Sequence, residues 1–565
     1  MSKIDDTAGV DRRALFGLAA AAATAGVMGS PAAHAEDPQT AGIPQAARGP
    51  GIPTPTPVVR TRSGPVQGLI DRGVCAFKGI PYGAPPIGAL RWTPPQPPQP
   101  WTATYDASDF GAPAMQMAGG SSIEASNDFG FQVHQVFTTP SEMKVMNEDC
   151  LYLNVWTPAP DTKRRPVMVW IHGGGFAYGS GAQPIYQGDG LARAQDVVAV
   201  SLNHRLNVFG YLDLSKSMGA DYASSGTVGM QDLVLALKWV RDNIAEFGGD
   251  PDNVMIMGQS GGGAKVSILL SMEGAKGLFH KAAIQSGPGL AVGRKATAQA
   301  ATDKVLAALG VAAGDIKALQ AIPAPAILQA AAKAGGMGFG PILDGVAITR
   351  DPFTPDGPPV SADVPILIGW CKDEWTIFDA NEPWFGRMTE AELETRVAPL
   401  GEPGQRLLAA FRKAYPTYSP TYLWIQMISS RMMAGSQLLA TRKAAQSGAP
   451  AFVYFMTWDT PVADGIFKCP HTMEIPFMLY SYDKVRTFVG EGPGPAHMAA
   501  QIGGAWAAFA RAGRPDHPGI PNWPAWNTQQ RPVMVFNTAS HVENDPLPEV
   551  RAALEAMPAA MTLRG

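Results

Sequence analysis

Residues 253–263 read NVMIMGQSGGG, and this stretch carries the strongest indication of the fold. Residues 254–257 are apolar, so 253–257 are predicted to form a buried strand, and residues 263–270 are predicted to form a helix. Between them, residues 258–262 fit the pattern G-x-S-x-G, in which a sharp turn lifts a serine above the end of a strand. The pattern alone is weak evidence in a chain with 62 glycines. Its position between a strand and a helix predicts that Ser260 is a nucleophile.

A second glycine-rich turn follows another predicted strand. The apolar run 166–172 ends at His172, and Gly173, Gly174 and Gly175 come next. Loops of this HGGG type present backbone N–H groups that can bind the negative oxygen of an acyl-transfer intermediate. Finding both motifs in one chain therefore predicts an oxyanion hole near the candidate nucleophile.

A nucleophilic serine needs a base to take its proton and an acid to orient that base. When a strand–turn–helix G-x-S-x-G belongs to an α/β-hydrolase, the chain order is serine, acid, histidine. His471 follows the predicted strand 451–458, whereas the later histidines fall in predicted helices and turns near the C-terminus. Shortly after the preceding predicted strand, 364–370, come Asp373 and Glu374. His471 is therefore the candidate base, and spacing alone does not choose between the two carboxylates.

Strand-like and helix-like stretches alternate along the chain. Such alternation favours a mainly parallel sheet covered by helices on both faces, which is the α/β class and, with the motifs above, the α/β-hydrolase fold. The predicted strands are 166–172, 196–202, 253–257, 364–370 and 451–458, and the predicted helices are 233–244 and 263–270.

The composition is that of a globular protein. Of 565 residues, 46% are hydrophobic and 16% are charged, and the formal net charge is -4. No basic stripe suggests binding to nucleic acid, and so small a charge steers charged substrates only weakly. We therefore expect a small-molecule substrate and no nucleic-acid partner.

The N-terminal residues 1–35 have the features of an export signal. Arg12 and Arg13 precede an apolar stretch, and Ala33-His34-Ala35 fits an A-x-A cleavage site. The twin arginine predicts a Tat-type signal peptide, the Tat export machinery as a partner of the precursor, and a periplasmic or secreted bacterial protein. A membrane anchor is the alternative, but the apolar stretch is short for a span. No later stretch is apolar and long enough to cross a membrane, so the mature chain is expected to be soluble.

Two further segments complete the predicted organisation. Residues 36–57 contain repeated prolines and are predicted to be an extended linker without packed elements. Residues 58–565 are predicted to form one hydrolase domain.

The chain has four cysteines, whose pairing the sequence does not determine: Cys75, Cys150, Cys371 and Cys469. They show no zinc-binding spacing, and the predicted chemistry needs neither a metal nor a cofactor. Cys371 lies just before the candidate acid and Cys469 just before the candidate base, so we expect their sulfurs to be close. A disulfide between them is one interpretation, and two separate buried thiols are the other.

Nine stretches of the sequence, in chain order, resemble the type-B carboxylesterase family, which includes cholinesterases and bacterial para-nitrobenzyl esterases. The resemblance runs from about Val58 to Pro546. The matching stretches are FKGIPYGAPPIGALRW (77–92), NEDCLYLNVWTP (147–158), HGGGFAYGS (172–180), NHRLNVFGYL (203–212), FGGDPDNVMIMGQSGGG (247–263), FHKAAIQSG (279–287), GWCKDE (369–374), HTMEIPF (471–477) and WPAW (523–526).

The resemblance implies roles for particular residues. It implies that Glu374 is the acid of the triad. It places the oxyanion donors at the backbone N–H groups of Gly174, Gly175 and Gly261. It also implies two structural ion pairs, Arg91–Glu148 and Arg205–Asp232.

The chain departs from the family pattern at several positions. Gln259 and Gly261 replace the glutamate and alanine that usually flank the serine, so the turn loses a negative charge near the histidine. Trp375 stands where glycine usually follows the acid, and its indole either lines the pocket or packs into the core. Met115 stands where a cysteine partner of Cys150 is usual, so that disulfide is expected to be missing and loop 116–147 freer.

The predicted function is hydrolysis of carboxylic esters through an acyl-enzyme. An amidase, a carbamate hydrolase or a lactonase would use the same triad, because the pocket and not the triad selects the leaving group. A recognition protein that keeps the fold without catalysis is a further alternative, but the intact Ser260, Glu374 and His471 argue against it.

Overall fold

A computed structural model describes residues 52–117, 145–335 and 338–557. Within these residues the centre of the fold is a 12-stranded sheet, and a 3-stranded sheet lies beside it in the strand order β2-β3-β6. The strands are Thr54–Pro55 (β1), Val59–Arg60 (β2), Pro65–Gln67 (β3), Leu69–Asp71 (β4), Val74–Pro81 (β5), Tyr105–Asp106 (β6), Tyr152–Thr157 (β7), Arg165–Ile171 (β8), Val198–Leu202 (β9), Gly249–Gln259 (β10), Lys281–Gln285 (β11), Ile366–Cys371 (β12), Ala451–Met456 (β13), Pro532–Phe536 (β14) and His541–Asn544 (β15).

Helices connect the strands and cover the sheet. The α-helices are Asp189–Gln195 (α1), Asn207–Tyr211 (α2), Val228–Asn243 (α3), Gly261–Leu269 (α4), Lys295–Leu309 (α5), Ile316–Ala321 (α6), Ala324–Gly335 (α7), Thr376–Asp379 (α8), Glu390–Val397 (α9), Gly401–Ala414 (α10), Pro420–Ala444 (α11), Ile475–Met478 (α12), Arg486–Val489 (α13), Pro493–Ala512 (α14) and Pro548–Glu555 (α15).

The large sheet has a parallel centre and antiparallel edges. Its order is β1-β4-β5-β7-β9-β8-β10-β11-β12-β13-β14-β15, and the pairs from β9 through β14 are parallel. Every residue of β9, β11, β12 and β13 is buried. Strands covered on both faces are continuously apolar because each side chain meets the core, whichever face it points to. The sequence prediction of an α/β-hydrolase sheet is confirmed.

The predicted elements are present with shifted ends. The predicted strand 451–458 ends at Met456, and the predicted strand 364–370 is Ile366–Cys371. The helix predicted over 263–270 is Gly261–Leu269, so it begins directly after Ser260. Helix propensity does not predict this start, because glycine is a poor helix former.

The end of the predicted linker is part of the sheet. Thr54 and Pro55 pair antiparallel with Ile70 and Leu69, and Thr56 donates its N–H to the carbonyl of Gly68 at 3.0 Å. Proline is tolerated in an edge strand because its missing N–H can face away from the ladder. The prediction that residues up to 57 form no packed element is therefore wrong for the last of them. The predicted signal peptide and most of the linker lie outside the described residues.

The parallel strands bring the candidate loops to one edge. β8 is followed by the HGGG loop, β10 by Ser260, β12 by Glu374 and β13 by the loop with His471. Since β8, β10, β12 and β13 all run parallel, their carboxyl ends meet on the same side of the sheet, where α/β proteins place their ligands. In the part of the chain that the structure describes, no helix is both long and apolar enough to cross a membrane.

Candidate active site

Ser260 occupies a strained turn between β10 and α4. Its backbone has φ 58° and ψ −124°, a conformation that costs a non-glycine residue about 1–3 kcal/mol. The turn is so tight that a Cβ added to Gly262 would lie 2.1 Å from the carbonyl oxygen of Ile171. The Ser260 N–H donates to the carbonyl of Gln285 at 2.8 Å, which ties the turn to the neighbouring strand. The local sequence thus holds one hydroxyl above the sheet at the N-terminus of a helix.

His471 and Glu374 form a buried pair. The imidazole Nδ1 makes a short hydrogen bond to Glu374 Oε2, and both side chains are almost fully buried. The other oxygen, Glu374 Oε1, accepts the N–H of Cys371 at 2.8 Å. Both carboxylate oxygens therefore have a donor, and the ring is held with its Nε2 turned away from the acid.

Asp373 faces a different set of partners. Its Oδ1 accepts the amide of Gln426 at 2.7 Å, and its Oδ2 accepts the N–H of Cys469 at 3.1 Å. Burial raises the pKa of this carboxyl to about 6, although Lys372 acts in the opposite direction. The structure therefore places Glu374, and not Asp373, against the imidazole.

Gln259 lies where the family usually has glutamate, and its amide reaches the imidazole. The amide nitrogen is 2.9 Å from His471 Nε2. Because Nδ1 is the protonated nitrogen that faces Glu374, Nε2 carries the lone pair and accepts this bond. Within the described ranges, the Ser260 hydroxyl makes no hydrogen bond to His471, whose Nε2 bonds the Gln259 amide instead. Hydrogen bonds of catalytic groups are often unformed before substrate binds.

The HGGG loop packs directly on the serine turn. Gly174 and Gly175 have φ 82° and φ 60°, in the left-handed region that favours glycine. A Cβ added to Gly261 would lie 2.2 Å from the carbonyl oxygen of Gly175, so even the alanine usual in the family would force one of the two loops to shift. The structure therefore brings Gly174, Gly175 and Gly261 together beside Ser260.

A second glutamate lies behind the pair and was not singled out from the sequence. Glu474 is buried and accepts the Tyr454 hydroxyl at 3.1 Å and the Cys371 thiol at 3.0 Å. Burial raises its pKa, and the nearby Glu374 raises it further. The only signal in the sequence is an acidic residue three positions after His471, which is too common a spacing to be informative.

The disulfide interpretation is wrong. Cys371 and Cys469 are buried free thiols, as are Cys75 and Cys150. The Cys371 thiol donates to Glu474, and the Cys469 thiol donates to the carbonyl of Met456 at 3.2 Å. The two cysteines do lie close together, but each sulfur is directed at an oxygen acceptor.

Aromatic side chains cover one side of the imidazole. The Phe378 ring lies 5.3 Å from that of His471 and is 47% exposed. The half-buried Trp375 ring lies 5.1 Å from that of Phe378, and the Arg431 guanidinium lies 3.6 Å from the Trp375 ring. Trp375 packs against the core and contacts Phe378, and Phe378 contacts the His471 ring; these two rings are called the aromatic wall below. Sequence reasoning missed Phe378, which is one helical turn further along.

The two ion pairs implied by the resemblance are confirmed. Arg91 Nε donates to Glu148 Oε2 at 2.6 Å, and Arg205 Nη2 donates to Asp232 Oδ1 at 2.7 Å. Each of these charges is paired within the fold. Within the described ranges, no group of three or more His, Cys, Asp and Glu side chains is arranged to hold a metal ion. Most of loop 116–147 lies outside those ranges.

This fold, with a serine turn, a buried His–Glu pair and a glycine loop at one edge of a parallel sheet, defines a serine hydrolase. The chain belongs to the carboxylesterase family, whose family model matches residues 55–553.

Relatives and solved structures agree with this assignment. The chain is 33% identical over 515 residues to the para-nitrobenzyl esterase of Bacillus subtilis, covering 88% of this chain and 98% of the relative. It is 30% identical over 523 residues to the human cocaine esterase, covering 86% and 88%. The structure of the Geobacillus stearothermophilus carboxylesterase EST55 matches with a TM-score of 0.74 and 38% identity, covering 88% of this chain and 99% of that one. The protein is thus a carboxylic ester hydrolase.

Proposed function

We propose that Ser260, His471 and Glu374 form the catalytic triad of this esterase. The observation that carries the proposal is the hydrogen bond from His471 Nδ1 to the buried Glu374, because it leaves Nε2 free of a proton and able to act as a base. The Ser260 Oγ attacks the ester carbonyl carbon while its proton passes to Nε2. The tetrahedral intermediate then collapses, and the alcohol leaves with the proton from Nε2.

Water repeats the sequence on the acyl-enzyme. It gives a proton to Nε2 as its oxygen attacks the acyl carbon, and Ser260 takes that proton back when the carboxylic acid leaves. In both halves the N–H groups of Gly174, Gly175 and Gly261 bind the negative oxygen. Since the Gln259 amide occupies the lone pair of Nε2 in this structure, it has to give way to the serine hydroxyl before proton transfer.

A substrate panel tests the reaction class. We expect p-nitrophenyl esters of graded acyl length to be hydrolysed, with a burst of p-nitrophenol that equals one equivalent of enzyme if deacylation is slower than acylation. Matched anilides and carbamates test the amidase and carbamate alternatives, and a matched lactone tests the third. If any of these compounds is hydrolysed faster than its matched ester, its class and not the ester is the preferred substrate.

The aromatic wall beside His471 is expected to select among esters. Phe378→Ala removes a half-exposed ring, so bulky esters should gain kcat/KM relative to acetate by about tenfold, while the melting temperature changes little. Trp375→Gly is the comparison, because its ring supports Phe378 and packs against the core. That variant should lose stability and activity toward all esters. An unchanged ratio of bulky to small esters in Phe378→Ala contradicts the role of the wall.

We also propose that the protein acts outside the cytoplasm after export by a Tat-type signal. Arg12 and Arg13, the apolar stretch and Ala33-His34-Ala35 support this proposal. The exported protein should begin at Glu36 by N-terminal sequencing. Retention of activity in the cytoplasm with an intact N-terminus would contradict it.

A further inference from the structure

Lys265 is a buried cation close to the proposed oxyanion loop. It lies in α4, five residues after Ser260, and it is 0% exposed. Its ammonium Nζ donates to the carbonyl of Gly175 at 2.7 Å and to that of His172 at 3.2 Å. The ammonium also lies 5.2 Å from the ring of Phe176. The triad mechanism makes no use of this group.

The two carbonyls that Lys265 binds lie at the two ends of the glycine loop. The peptides between them carry the N–H groups of Gly174 and Gly175. A donor that holds both ends therefore fixes the direction of the N–H groups between them. Because Lys265 belongs to the helix that begins directly after Ser260, the same side chain also fixes the loop relative to the nucleophile.

In the described part of the chain, no carboxylate forms an ion pair with Lys265. Among the ion pairs of the described residues, none includes Lys265, and burial alone accounts for its lowered pKa, which is about 7. The titratable groups that face it are His172 and His204, whose rings stack at 4.8 Å. Burial and the lysine charge both lower the pKa of these histidines, to about 3 for His172, so they stay neutral. Burying a charge without an opposite charge beside it costs free energy.

We propose that Lys265 is a positioning residue of the oxyanion hole: its ammonium group anchors the carbonyls of His172 and Gly175 and places a positive charge beneath the developing oxyanion. This inference rests on the proposed role of Gly174 and Gly175 as oxyanion donors. Charged donors fixed in a site closed to water stabilise a transition-state charge far more than donors in water do.

The charge makes the reaction rate depend on pH in a specific direction. Lys265 is a cation below its pKa and a neutral amine above it. The neutral amine still has two N–H donors, so it can keep both carbonyl bonds without the charge. As pH rises through the pKa of Lys265, kcat should therefore fall to a lower plateau and not to zero.

The test compares three lysine variants. Lys265→Met removes both the charge and the donors, and Lys265→Gln retains donors without the charge. Lys443→Met is the matched control, because Lys443 is also buried and bonds two carbonyls, those of Ser361 at 2.8 Å and Ala362 at 2.7 Å. Its partners belong neither to the triad nor to the glycine loop. Melting temperature, kcat, KM and the pH profile of kcat are measured for each.

We expect Lys265→Met to lower kcat by about 10- to 100-fold at pH 6.5 with little change in KM. The fall of kcat to a lower plateau at high pH, called here the alkaline step, should be absent from both Lys265 variants. Lys443→Met should lose stability but keep the kcat and pH profile of the wild type. The inference is overturned if the kcat of Lys265→Met stays within about twofold of the wild type or if the alkaline step persists in either Lys265 variant. A wild-type kcat that stays flat from about pH 6 to about pH 9 also overturns it, even if neither Lys265 variant folds.

Labelling with an organophosphonate separates this inference from the proposed triad. Failure of the wild type to form an adduct at Ser260 contradicts the triad itself. Adduct formation in the wild type, with an equal rate in Lys265→Met, contradicts only the role of Lys265, since phosphonylation develops the same negative oxygen.

Discussion

Ser260→Ala should remain folded and lose about 10⁴- to 10⁶-fold in kcat, because no other group in the mechanism can form the acyl-enzyme. Circular dichroism and the melting temperature test folding, and p-nitrophenyl ester hydrolysis tests activity. Intact-mass analysis after treatment with an organophosphonate should show one adduct on the wild type and none on the variant. An adduct on a different serine, or activity close to that of the wild type, contradicts the assignment.

Ser286→Ala provides a matched control. Ser286 directly follows β11 at the same edge of the sheet, is buried, and has a left-handed φ of 44°. Its hydroxyl has no hydrogen-bond partner in the described part of the chain. The variant should keep near-normal activity. Ser260→Gly adds a second comparison: it should be as inactive as the alanine variant but more stable, since glycine adopts the turn without strain.

Glu374→Gln should lower kcat by about 10³- to 10⁴-fold with little change of structure. The carboxylate accepts two hydrogen bonds, one from the Cys371 N–H and one from His471 Nδ1. A carboxamide has one oxygen and one NH₂. If its oxygen stays on the Cys371 N–H, its NH₂ faces Nδ1 and forces the proton to Nε2, where the base is needed. If it turns over, two donors meet at Cys371.

Asp373→Asn separates the two neighbouring carboxylates. Asp373 contacts Gln426 and the Cys469 N–H but not the imidazole, so its substitution should change stability and leave kcat within a fewfold of the wild type. Steady-state kinetics on both variants decide the matter. If Asp373→Asn lowers kcat as much as Glu374→Gln does, the effect comes from disturbing the turn that holds both residues, and Glu374 is not the specific acid.

The sequence predicts those parts of the site that depend on local chain direction. The serine turn and the HGGG loop each follow a strand, and parallel strands bring their ends together, so Ser260, Gly174 and Gly175 could be assigned from order alone. The choice between Asp373 and Glu374 could not be made from spacing, because adjacent side chains on a turn point in different directions. The family resemblance named Glu374, and the geometry agrees.

The sequence does not predict contacts between side chains that are distant in the chain. The missing glutamate at position 259 was visible, but the bond from the Gln259 amide to His471 Nε2 was not. Lys265, five residues after the serine, has the spacing of any helical lysine until its buried position is known. Cys371 and Cys469 lie close together as expected, yet the oxygen atoms that accept their thiol hydrogens belong to Glu474 and Met456.

The four free cysteines have a consequence for oxidation chemistry. Burial raises the pKa of every one of them, so each remains a thiol, whereas alkylating agents and peroxides react with the thiolate. No catalytic step needs a sulfur in a particular state. The enzyme should therefore work equally well with reductant or oxidant in its surroundings, and neither glutathione nor an oxidising compartment would act as a switch on its activity.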